Sequence, residues 1–211
     1  MIEYILNRIK CIVNSGFDNK EQAFNKTKEM IYEYFIYDNT EGDEIPTDTE
    51  IINAFDSIYD KYLQTHSNKN FGKLSQAFDI LNREKIIALH NAGGTLSDGF
   101  PYIAEVLHRV QSKGITPIGF CFYHSQDMER AMSEEDPQLS LCFGSIDETE
   151  DKSIFVGEKI YKLLVSVGFK VSWNHTYNER IKINNFKWDK IYDENGFYFI
   201  GRAVKYMTET Y

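Results

Sequence analysis

A chain of 211 residues is long enough to bury a core without covalent staples, and three widely spaced cysteines point to reduced thiols rather than a disulfide framework. Its net charge of -9, from 32 Asp and Glu against 23 Lys and Arg, works against phosphate-backbone binding and favours cationic partners. No apolar run reaches membrane-spanning length and the first residues lack signal-peptide order, so we expect a soluble cytoplasmic protein with neither nucleic acid nor membrane as partner.

Apolar residues at Ile2, Ile5, Leu6, Ile9, Ile12 and Val13 recur at three-four spacing and predict an amphipathic helix that stops near Gly16. A second helix is predicted over 19–37, with Ala23, Phe24, Thr27, Met30, Ile31, Tyr34 and Phe35 on one face. The two suit an antiparallel hairpin. Residues 38–48 combine the breakers Asn39, Gly42 and Pro46 with Asp38, Glu41, Asp43, Glu44 and Asp48, which reads as an acidic loop. Thr47 and Glu50 have capping-box spacing and open a third helix that turns Ile51, Ala54, Phe55, Ile58, Tyr59 and Tyr62 inward. A shorter helix over 74–83 completes an N-terminal helical region, 1–84.

From Lys85 the pattern changes. Residues Ile86-Ile87-Ala88-Leu89-His90 read as a strand, followed by a glycine-rich loop over 91–99. A helix is predicted over 100–113, with Pro101 near its first turn and Gly114 as its stop. The apolar run Ile118 to Tyr123 reads as a buried strand that passes abruptly into His124-Ser125-Gln126-Asp127. Ser125 suits an N-cap there, and Asp127 and Glu129 suit the helix dipole.

A strand over 138–144, a helix over 149–167 and a hairpin of two short alternating strands, 170–174 and 180–183, follow. Periodicity leaves 197–211 open between helix and strand. The order predicts an α+β fold: a helical region, then a mixed sheet over 85–211 with helices packed on it, as two parts or one continuous globular unit.

The blocks Gly119-Phe120-Cys121-Phe122-Tyr123-His124-Ser125-Gln126-Asp127, Leu139-Ser140-Leu141-Cys142-Phe143-Gly144, Lys170-Val171-Ser172-Trp173-Asn174 and Arg180-Ile181-Lys182-Ile183, with Trp188, follow one another along the chain. That order resembles an uncharacterised bacterial family filed as a domain of unknown function, whose pattern is an aromatic strand leading to His-x-Gln-Asp, a Trp-Asn hairpin and an Arg-Ile strand. The resemblance covers about 85–190 and brings no reaction with it. Members with cysteine pairs in the loop after the first strand differ from this chain, whose loop 91–99 has none.

His124 and Asp127, three apart on a helical turn, can share a proton, and with Arg180 stabilising an anion they would suit a hydrolase-like or small-ligand site. The plainer role is a strand-end histidine with a capping carboxylate. His90, His124 and Asp127 form a second, metal-binding alternative, although no HxH or HxxxH spacing supports it. The glycines at 93 and 94 fit no phosphate-loop pattern, and no cofactor is expected. Acidity, abundant tyrosine and the lack of a complete catalytic signature favour a protein-binding module, of the kind an immunity protein represents for a basic toxin. Expected contact residues are Asp43, Glu44, Asp147 and Glu148 in acidic segments, with Gln126 and Trp173.

Overall fold

A computed structural model describes residues 3–38, 44–194 and 199–209. The chain forms two compact units. One comprises Met1–Lys69 with Asp189–Gly196; the other comprises Asn70–Trp188 with Phe197–Tyr211. The α+β architecture is as predicted, but the chain changes units at 69 rather than at 84 and returns to the first late in its course.

In the helical unit, α1 (Glu3–Asn14), α2 (Lys20–Glu33) and α3 (Asp48–Thr65) turn their apolar stripes onto one core. Ile5, Ile9, Val13, Ala23, Ile31, Ile51, Phe55 and Tyr62 fill it. Asn19 with Gln22 and Thr47 with Glu50 form reciprocal capping boxes that fix where α2 and α3 begin. Past Glu33 the helix widens into a π-helical turn, Tyr34–Asp38. Lys190 ties the late segment in: its ammonium donates to Gly16 O at 2.6 Å and lies 4.9 Å from the Phe17 ring centre.

The sheet unit orders its strands β1-β2-β3-β5-β4, from β1 (Ile86–Leu89), β2 (Gly119–Phe122), β3 (Gln138–Ser145), β4 (Lys170–Ser172) and β5 (Ile181–Asn184). Only β1 and β2 run parallel; β2–β3, β3–β5 and the β4–β5 hairpin are antiparallel. α5 (Leu96–Gln111) crosses between the parallel pair and, with α8 (Phe199–Thr208), covers Ile87, Leu89 and Phe122. α7 (Glu150–Ser166) packs on β3 with a close approach at Gly157, where an added Cβ would stand 2.6 Å from the Trp173 ring. α4 (Lys69–Arg83) buries Phe71, Leu74, Phe78 and Leu81.

Two predicted helix starts change: α4 begins at Lys69, not at 74, and so takes in the supposed break before it. α5 begins at Leu96, not at 100, because the Asp98 carboxylate accepts from the Thr95 backbone N–H at 2.8 Å and so closes a helical turn within the supposed loop. The 197–211 stretch is settled as helix over Phe199–Thr208.

Candidate functional site

The geometry of the His-x-Gln-Asp turn starts from β2. Its end is pinned to the glycine loop by Ala92 N–H donating to Tyr123 O at 2.8 Å and Ser125 N–H donating to Gly93 O at 3.0 Å. The Ser125 hydroxyl donates to Asn91 Oδ1 at 2.9 Å, with Gly93 O also within reach at 3.1 Å. These contacts occupy Ser125 with the loop. The N-cap of α6 (Ser125–Ala131) is instead His124, whose extended backbone starts the helix and whose N–H donates to Asp127 Oδ2 at 3.3 Å.

Asp127 is the hub. Its carboxylate is fully buried and accepts from His124 Nε2 at 3.0 Å, from Arg130 Nη1 at 3.3 Å and from Arg180 Nη2. Arg180 Nη2 also donates to Ser140 O at 2.9 Å, so one guanidinium joins α6, β3 and the start of β5. A carboxylate out of water keeps its charge only when paired and hydrogen-bonded, and the converging donors supply that pairing.

Burial pushes the His124 pKa below its usual 6.5; Asp127 opposes the shift and Arg180 adds to it. The imidazole is therefore neutral at pH 7, its Nε2–H assigned to Asp127 by the contact between them. Nδ1 is buried with no hydrogen-bond partner among the described residues.

The sequence-predicted trio of His124, Asp127 and Arg180 thus comes together. Ser125 is committed to the loop, and the Cys142 thiol, pushed up to about 11 by burial, stays protonated. A cavity of about 140 Å³ lies elsewhere, lined by Leu89, His90, Asn91, Ala92, Tyr102, Phe199 and Ile200. His90 takes no part in the Asp127 cluster. Its Nδ1 lies 3.1 Å from Tyr123 Oη, and its ring stacks on Phe78 at 4.4 Å. The alternative metal set of His90, His124 and Asp127 is accordingly not assembled: among the described residues no group of three His, Cys, Asp or Glu side chains is placed to hold a metal ion.

The expected contact residues are scattered. Gln126 is exposed on α6, and Glu44, Asp147 and Glu148 are exposed, with Asp147 paired to Lys152. Asp43 lies outside the described residues. Trp173 is half-buried: its ring meets Phe143 edge-on at 5.3 Å and its Nε1–H donates to Thr176 O at 3.0 Å. Trp188 is buried between Phe71, Tyr123 and Phe186.

Sequence reading missed where the charge resides. The helical unit contains 16 Asp and Glu against 8 Lys and Arg, a net -8, whereas the sheet unit contains 16 against 15, a net -1. That partition depends on assigning α4 and the 189–196 segment correctly. Sequence reading also missed the exposed rings at the end of α2, where Tyr32 is 68% and Tyr37 78% exposed; the 3.6-residue period was visible, but the π-helical turn that redirects it was not.

A family model described as "Domain of unknown function (DUF6891)" matches residues 1–192, the helical region included. No curated protein and no solved structure matches the chain.

Proposed function

Because the chain belongs to the family described as a domain of unknown function (DUF6891), a membership that brings no reaction, we propose that it is a protein-binding module that neutralises a basic partner in the cytoplasm, as an immunity protein neutralises a toxin. The observation that carries this reading is the charge partition: nearly the whole net charge of the chain belongs to the helical unit. Concentrated charge steers oppositely charged partners and raises their association rate, an effect that salt weakens. In this reading His124, Asp127 and Arg180 brace the sheet and do no chemistry.

The test is co-purification of the tagged full chain from cells that also express its neighbouring genes. A stoichiometric basic protein, released by raised salt and toxic when expressed alone, is the expected result. Recovery of no such protein overturns the proposal.

One observation favours a second reading, a hydrolase-like or small-ligand site: the unpartnered Nδ1 of His124, held in a base-competent tautomer by Asp127. It requires turnover of a simple ester or amide by the wild-type chain that disappears in a folded His124→Asn variant.

A further inference from the structure

We propose that the partner docks on the exposed face at the end of the α1–α2 hairpin, where Tyr32, Ile36 and Tyr37 interleave with Glu29 and Glu33, and that the partner presents an apolar surface flanked by lysine or arginine. The inference rests on the binding-module reading and gives it an address.

The face is built by the helix geometry. Residues 29, 32, 33, 36 and 37 recur at three-four spacing and all are exposed, while Thr27 and Ile31 point into the core. Exposure reaches 68% at Tyr32, 49% at Ile36 and 78% at Tyr37, and Tyr4 of α1, 49% exposed, packs on the half-buried Tyr34 at 5.1 Å between ring centres. The π-helical turn Tyr34–Asp38 supplies a second, independent feature. It tucks Tyr34 and Phe35 into an edge-on pair while Ile36 and Tyr37 face water, and π-helical turns occur frequently at functional sites. A solvated helix face does not need two tyrosines and an isoleucine in adjacent turns; interfaces favour that composition, with aromatic anchors inside a polar rim.

Charge selects the occupant. Glu29 and Glu33 put carboxylates on this face, and the helical unit is strongly negative, so a neutral or acidic apolar surface is disfavoured and a cationic one is attracted.

The experiment titrates the isotope-labelled full chain with a synthetic helical peptide carrying leucine and tryptophan on one face and lysine along both flanks of that face. A second peptide has every lysine replaced by glutamine. Amide shifts confined to α1 and the 29–37 stretch, affinity falling on added salt and on lysine removal, and a roughly tenfold weaker Kd in Tyr32→Ser/Tyr37→Ser support the proposal. The high exposure of both tyrosines means the double variant retains its fold, checked by its thermal midpoint; Glu29→Lys/Glu33→Lys is a second probe that leaves the rings in place and should also weaken binding. Undiminished binding by both variants overturns the docking site while the binding-module reading stands. Shifts spread over the sheet unit overturn it likewise. No binding of the lysine peptide overturns the docking site and counts against the parent reading as well.

Discussion

At Asp127, one carboxylate ties α6 to Arg180, which in turn reaches β3, and its removal leaves a partly buried guanidinium without its counter-ion. Asp127→Ala is expected to cost about 3 kcal/mol or more, in the range for breaking a buried pair. Arg180→Ala should cost less, and the double variant less than the sum of the two, because both act on one contact. Urea unfolding of the four proteins checks this; strict additivity would mean that the pair is not coupled. His124 gives a pH signature. Its folded pKa is below 6.5, so as pH falls through that value the unfolded chain takes up the proton first and stability declines. His124→Asn keeps a good N-cap without the titration, and its stability should vary less with pH in that range. Lys190 behaves oppositely in position, though not in sign. Burial brings its pKa down from 10.5 to about 8, so between those values the unfolded chain holds the extra proton and stability rises with pH. The rise should be missing in Lys190→Met, measured as the difference from wild type across that interval.

Among elements, α7 shows how a glycine inside a helix can be a packing requirement. Alanine at Gly157 would favour the helix by about 1 kcal/mol on propensity alone, yet its Cβ would overlap the rings of Trp173 and Phe143. Gly157→Ala should therefore lower the thermal midpoint despite the propensity gain, and an unchanged or higher midpoint would show that the rings yield. The same logic explains why the start of α5 was hard to read in sequence. Gly93, Gly94 and Gly99 look like loop punctuation, but Gly99 is helical and bare because the Phe122 ring occupies the space of a side chain. Elements with a full apolar period, such as α1, α3 and β2, were legible because local sequence and burial agree there. The meeting of His124, Asp127 and Arg180 was partly legible, since strand ends and helix caps have local signals. Their exclusion of His90 was not. Leu89 pairs with Phe122, so the next step along brings His90 beside Tyr123, one residue out of step with His124. A shift of one residue sends side chains to opposite faces, and no local pattern reveals a register between strands 30 residues apart.

For the whole molecule, the division of the chain predicts how it tolerates cutting. A fragment beginning at Lys85, the boundary read from sequence, lacks α4 with its buried Phe71, Phe78 and Leu81 and is expected to unfold or aggregate. A fragment beginning at Asn70 retains them and should show a cooperative transition and dispersed amide signals; equal behaviour of the two fragments would contradict the assignment of α4 to the sheet unit. The helical unit cannot be isolated so simply. Asp189 accepts from the Ser67 hydroxyl at 2.9 Å and the Lys69 N–H at 2.8 Å, and Tyr192 N–H donates to Tyr62 Oη at 2.7 Å, so α1 to α3 lack these late partners in any N-terminal piece. On the ribosome, the helices translated first must therefore wait for residues added more than a hundred codons later, and the acidic helical unit is completed only after every strand of the sheet has been made.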